Sequence, residues 1–195
     1  MILEITATKL LMNRQVVLVD EQDREQGTAD IYEAHKGKGL KHRALSVILY
    51  RKVNGKIELL HQQRAEAKPV FKLLWSNTCC TNLRPGDEYL PRAVSRLDEE
   101  MGIKIDQDKL RILYSFSYEV ADEVNVGWCE NELDTVIVGE WDGGEVCVNP
   151  DEAADYKWIE WGELQKDIKV NPDIYSPWHK MIINDPRFVE EVVWH

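Results

Sequence analysis

Trp75 to Asn82 reads WSNTCCTN, and the rest of the chain is organised around it. An indole and small polar residues lead into two adjacent cysteines, a composition that suits neither a strand core nor a helix. Cys79 and Cys80 are sequence neighbours and do not easily reach relaxed disulfide geometry. One thiol of the two is therefore a candidate for chemistry; the alternative is that both are small buried hydrophobes, the commonest role of a free cysteine. Pro85-Gly86-Asp87 is a turn signal, and Pro91 suits the first position of a helix. From there to Met101, Ala93, Val94, Leu97 and Met101 form one apolar stripe, and Gly102 stops the helix. Arg96 and Glu100, four apart, lie together beside the stripe. They are either a structural salt bridge or a metal-holding carboxylate with a guanidinium facing the phosphates that the metal carries.

Working outward, the upstream chain predicts strands. Gln15 to Val19 is a short apolar run ended by the turn Asp20-Glu21-Gln22-Asp23. A polar segment begins at Gly27-Thr28. His35 and His42 flank a glycine-bearing loop, and Ala44 to Tyr50 is the next apolar run. Asn54-Gly55 is the strongest hairpin signal in the chain and joins that run to Lys56 to Gln63. Arg64 and Lys68 follow, before Pro69 stops regular structure. They read as solvated surface or as a phosphate clamp.

Downstream, Leu110 to Val120 alternates as a strand, with Tyr114, Phe116 and Tyr118 on one side. Glu130 and Glu132 precede the strand-like Thr135 to Val138, and residues two apart on a strand share a face. Two adjacent carboxylates in an apolar neighbourhood need a cation or a shared proton, whereas on an exposed face they are ordinary surface charge. Tyr156 to Trp161 predicts another strand, a short helix surrounds Glu163 to Ile168, and a last helix runs from His179 to Asn184. Trp178, behind Ser176-Pro177, is a packing residue or presents its ring face to a positive charge.

The 195 residues suit one domain. With 24 basic and 35 acidic residues the net charge is −11, which argues against general binding to nucleic acid or anionic membranes. Met1 to Met12 lacks the features of a signal peptide, and no apolar run approaches membrane-spanning length. A cytoplasmic protein is expected. The four cysteines, Cys79, Cys80, Cys129 and Cys147, lack zinc-ribbon spacing and should be reduced.

Trp75-Ser-Asn-Thr-Cys-Cys80, the preceding Gln62-Gln-Arg-Ala-Glu-Ala-Lys68, His35 and His42, Glu130-Asn-Glu132 and Ser176-Pro-Trp178 together resemble type 1 isopentenyl diphosphate isomerase. The resemblance runs from about Val16 to Ile182, with the motifs in the family's order and spacing. It implies the Nudix fold, a mixed-sheet α/β/α sandwich, as one domain over residues 1–195. Glu99-Glu100-Met101-Gly102-Ile103 looks like a decayed Nudix box. By resemblance, Cys80 is the catalytic cysteine and Glu132 the catalytic glutamate, assisted by Tyr118, with Trp178 as the cation-facing indole. His35, His42, Glu130 and Glu132 match four of five ligands of a manganese, magnesium or zinc site. Glu100 matches the ligand of a second magnesium that arrives with the diphosphate. Arg64, Lys68 and Arg96 match diphosphate contacts. The implied partner is a small-molecule prenyl diphosphate, and the protein is expected to be a monomer or weak homodimer.

Two positions depart from the family. Its third metal histidine is Asn82 here, whose amide oxygen is a hard, weak ligand better suited to magnesium than to zinc. A basic residue expected four positions before the first histidine is Ile31, with Lys36, Lys38 and Lys41 near enough for one to substitute. Two other readings remain: a Nudix hydrolase of a diphosphate, weakened by Ser95-Arg96 where a hydrolase carries arginine and a catalytic glutamate, and a non-catalytic relative that binds a prenyl diphosphate or a protein.

Overall fold

A run as apolar as Ala44 to Leu49 is stable as a strand when both of its faces are covered. In the computed structural model, which describes residues 14–194, it lies in the strand at the centre of the sheet. The expectation for Met1 to Met12 lies outside the described residues. The chain forms β1 (Gln15–Val19), β2 (Glu25–Asp30), α1 (Ile31–His35), β3 (His42–Val53), β4 (Lys56–Arg64), β5 (Trp75–Ser76) and β6 (Cys79–Asn82). After these come α2 (Tyr89–Met101), β7 (Leu110–Ala121), β8 (Cys129–Glu140), β9 (Ala153–Glu160), α3 (Trp161–Val170) and α4 (Pro177–Asn184). A short helical piece, α5 (Pro186–Phe188), continues into a π turn at Val189–Val193.

The sheet is mixed. β8 runs parallel to β3 and antiparallel to β7, while the other edge of β3 is shared along its length by β1, β6 and β4. Leu45, Val47 and Leu49 pack with Ala93, Leu97 and Met101 of α2. Ile48 packs into the opposite layer with Val136, Val138, Leu164, Ile182, Ile183 and Phe188. This is the α/β/α sandwich expected from the sequence. Asn54 and Gly55 both have positive φ, 51° and 75°, which a tight hairpin requires. No helix among the described residues is long and apolar enough to cross a membrane.

Several elements differ from expectation. Cys79–Asn82 is a strand, paired in register with Val47 to Ala44. It is held in place by small side chains that replace ladder partners. Thr78 Oγ1 donates to the Leu60 carbonyl at 2.7 Å and accepts from the Leu49 amide at 2.8 Å, while Asn77 Nδ2 donates to the Val47 carbonyl at 3.2 Å. They close the gap where β6 ends and β4 takes over the edge of β3. The helix expected from Pro91 begins two residues earlier, at Tyr89. Proline fits there because the first-turn amides have no intrahelical acceptor. The polar segment from Gly27 lies within β2, an exposed edge strand, and helical structure continues past Asn184.

A buried histidine pair joins α4 to β4. His61 Nε2 and His179 Nε2 lie 2.9 Å apart, and both rings are fully buried. Burial depresses both, His61 to about 3 and His179 well below its ordinary value. The unfolded chain therefore takes up protons below about pH 6.5 that the folded chain refuses, so stability falls as pH drops from there towards 3. Urea unfolding is expected to show a loss of about 4 kcal/mol between pH 7 and 5 from this pair, about 2 from each histidine. A His61→Gln, His179→Gln variant should lack that part of the slope, and an unchanged slope would contradict it.

Candidate active site

α1 and β3 bring the two histidines together with β8. Asp30 caps α1, its Oδ1 accepting from the Tyr32 amide at 2.9 Å, and His35 is the last residue of that helix. His42 opens β3 and pairs in parallel register with Glu132; Glu130 lies two residues earlier on the same face of β8. One ligand atom from each of His35, His42, Glu130 and Glu132 lies within 4.8 Å of the others, and all four residues are buried. His35 Nδ1 is 2.6 Å from the Ile31 carbonyl and His42 Nδ1 is 2.7 Å from the Leu40 carbonyl. Each carbonyl accepts the Nδ1 proton and turns Nε2 inward, the arrangement that orients metal-binding imidazoles; at His35 that nitrogen meets Glu130 and becomes a ligand on losing its proton. His35 Nε2 lies 2.9 Å from Glu130 Oε2, and His42 Nε2 lies 3.5 Å from Glu132 Oε1.

Two carboxylates this close in a buried site repel, and their proton affinities move apart. Against the effect of burial, His35 draws Glu130 down to about 2, and Glu130 lifts His35 to about 9. Burial and the Glu130 charge push Glu132 up. Imidazole and carboxylate donors of this kind fit manganese, magnesium or zinc. Asn82 lies beside them, its side-chain amide 2.6 Å from Glu132 Oε1 and 3.1 Å from His42 Nε2. A half-turn of the amide would present its oxygen instead.

A cavity of about 380 Å³ opens beside this cluster. Cys80, Glu132, Tyr118 and Trp178 all line it. Alternation along β6 separates the two cysteines: Cys79 is fully buried in the core under α2, and Cys80 faces the cavity. Burial pushes the Cys80 thiol up to about 12, with Arg64 opposing, so it holds its proton at neutral pH. Tyr118 Oη donates to Glu132 Oε2 at 2.6 Å. The Trp178 indole donates to Asn77 Oδ1 at 3.1 Å and is braced edge-on by Phe71. Its ring face already meets a cation, the Arg64 guanidinium carbon lying 5.2 Å from the ring centroid. Arg64 is held by the Val70 and Phe71 carbonyls and reaches to 3.7 Å from Cys80 Sγ.

Lys68 and Arg96 line the same cavity and share one counterion, Glu152. Against burial, these two cations hold Glu152 down at about 2. Glu100 lies outside the histidine–glutamate cluster and does not line the cavity. Its carboxylate is 1% exposed and accepts from Arg96 Nε at 2.9 Å and Gln62 Nε2 at 2.8 Å. As it stands, Glu100 aims Arg96. Lys36 and Lys41 pair with Glu33 and Glu21, Lys38 is exposed, and none of the three lines the cavity, so they do not substitute for a base at Ile31. Sequence reasoning missed Glu152 and Arg14, whose partners are far away in the chain, and Asn77, which lies inside the quoted motif without an assigned role.

Comparisons with known proteins agree with the fold. A family model described as NUDIX domain matches residues 40–179. The chain is 40% identical over 167 residues to isopentenyl-diphosphate Delta-isomerase 2 of Aromatoleum aromaticum, covering 86% of this chain and 83% of that protein. It is 38% identical over 168 residues to an isopentenyl-diphosphate Delta-isomerase of Aliivibrio fischeri, covering 86% and 91%. Among solved structures, that of DR0079 from Deinococcus radiodurans superposes with a TM-score of 0.66 at 17% identity, over 86% of this chain and 96% of that one, which speaks for the fold alone. The chain belongs to the NUDIX superfamily and, within it, to the family of isopentenyl-diphosphate Delta-isomerases.

Proposed function

We propose that this chain interconverts isopentenyl and dimethylallyl diphosphate, with Cys80 and Glu132 as its proton-transfer pair. The observation that carries the reading is one cavity lined by a protonated thiol and a carboxyl group from different strands, with aromatic rings and cations in the same walls. Shifting this double bond requires protonating an unactivated alkene to a tertiary carbocation and then removing a different proton. Water would trap that cation, so the site must exclude it while acid and base stay in reach.

Cys80, Tyr118 and Trp178 surround the hydrocarbon in this reading, and Lys68, Arg96 and Arg64 hold the diphosphate. In one direction one member of the pair gives a proton to the alkene and the other takes a proton from the cation; in reverse they exchange roles. Tyr118 keeps the Glu132 carboxyl oriented through its 2.6 Å hydrogen bond. Trp178 offers a π face to the developing positive charge. His35, His42, Glu130, Glu132 and Asn82 would hold a divalent cation, which would orient the Glu132 carboxyl and fix its protonation state. A magnesium ion accompanying the diphosphate would meet Glu100 only after Arg96 had turned from it to the phosphates.

Turnover in deuterium oxide tests the chemistry. Both isomers should acquire solvent deuterium, because the thiol proton exchanges with water before it is delivered. Isomerisation without label would contradict proton delivery by Cys80, and absence of isomerisation would contradict the reading itself. The amide at Asn82 leads to a second expectation: Asn82→His should raise manganese affinity by about tenfold, read by calorimetry. Affinity equal to that of the parent would remove Asn82 from the metal site.

A further inference from the structure

Arg14 ends the segment that leads into β1 and projects into the cavity next to Thr81 and Arg96. Its Nη2 donates to Thr81 Oγ1 at 2.6 Å, while its Nε is buried with no hydrogen-bond partner. No carboxylate among the described residues lies within ion-pair distance of it. Burial first, then the charges of Arg96, Arg84 and Arg92, push its guanidinium below its ordinary value, to about 10, with Glu152 opposing. It remains charged at neutral pH. A desolvated, unpaired guanidinium among other guanidinium groups is costly unless an anion enters.

The other cations of this wall have partners: Lys68 and Arg96 have carboxylate counterions, and Arg64 is held by the Val70 and Phe71 carbonyls. Lys68 and Arg96 share Glu152, and Arg96 also binds Glu99 and Glu100. Among the described residues, Arg14 is the guanidinium of this wall with a buried donor left unpartnered, its Nε. Its carbonyl accepts from the Ile31 amide at 2.9 Å, so its backbone lies against Ile31, and Ile31 lines the same cavity without a charge.

We infer that Arg14 is a diphosphate-binding residue, its guanidinium forming with Lys68 and Arg96 the anion-holding wall of the cavity. This rests on the diphosphate reading above and assigns to it a residue from outside the recognised motifs. On binding, the Arg14 side chain turns so that a phosphate oxygen accepts from its guanidinium and neutralises the crowded charges, and Glu152 yields its hold on Lys68 and Arg96. The planar fork of arginine suits this contact better than an ammonium group.

Arg14→Gln and Arg14→Lys test it, by isomerase kinetics and by calorimetric titration with inorganic pyrophosphate and magnesium. The glutamine variant should raise KM by about tenfold to a hundredfold, the worth of a charge-assisted hydrogen bond, with a much smaller effect on kcat. Pyrophosphate affinity should fall by a similar factor, and the lysine variant should lie between. The unliganded glutamine variant should melt at or above the parent Tm, because a repelling charge has gone; a purely structural arginine would lower it. Parent-like pyrophosphate affinity in a folded variant would overturn the inference, whatever the Tm. Should the glutamine variant fail to fold, the lysine variant decides by the same affinity criterion. A parent that binds pyrophosphate but does not isomerise would sink the function and leave the affinity comparison at Arg14 intact.

Discussion

Replacing Cys80 with alanine is expected to lower isomerase turnover by about a hundredfold to ten-thousandfold, the usual weight of a positioned proton-transfer group. Cys80 is the cysteine of its pair that faces the cavity, and its neighbour Cys79 is sealed in the core beneath α2. A thiol pushed up to about 12 carries its proton throughout the neutral range. It can therefore deliver one without first being charged. Alanine removes a single sulfur atom from a half-buried position, so the cost in stability should stay below about 1 kcal/mol. Turnover and thermal unfolding measured together check this, and a folded variant that retains parental turnover would refute the assignment. Cys79→Ala is the contrasting change: it leaves a small void in the core and should lower Tm more than it lowers turnover.

Glu132→Gln is expected to cost about as much turnover and, in addition, to weaken manganese binding by about tenfold to a hundredfold. Glutamine keeps the shape but supplies one acceptor where Glu132 has two. Those two acceptors now serve Tyr118 Oη and the Asn82 amide, while His42 stands 3.5 Å away. The neutral side chain also ends the competition with Glu130 for charge. Tyr118→Phe isolates the orienting part, since it removes one hydrogen bond and keeps both carboxyl oxygens; its effect on turnover should be smaller and its effect on metal affinity slight. Kinetics and metal titration of both variants separate the roles. Full turnover in Glu132→Gln would contradict the account of the base.

The sequence disclosed what depends on local chemistry. Asn54-Gly55 marked its hairpin because both residues must take positive φ, and Gly102 marked the helix end for the same reason, at φ 65°. His35, His42, Glu130 and Glu132 were legible as a set only through the family resemblance; spacing alone put the two glutamates on one face of a strand and the two histidines at the ends of a loop. What stayed hidden depends on distant parts of the chain. Cys79–Asn82 is a strand only because β3 offers it an edge and Thr78 and Asn77 fill the gap that follows. β2 has no apolar face to read, since it is an exposed edge. Glu100 and Arg96 were visible as a pair, but only the fold shows that Gln62 and Arg96 occupy the Glu100 carboxylate. Arg14 lacked any motif; the register of β1 carries it into the cavity.

The most direct test of the central claim is one incubation of the metal-loaded protein with isopentenyl diphosphate, magnesium and manganese. Dimethylallyl diphosphate, phosphate and pyrophosphate are followed together. Conversion to the allylic isomer without release of phosphate or pyrophosphate is the predicted result, and it would show that asparagine at position 82 is tolerated. Release of either without isomerisation would contradict the account and place the chain with the hydrolases of its superfamily, and silence in both channels from a folded sample would leave it a binding protein.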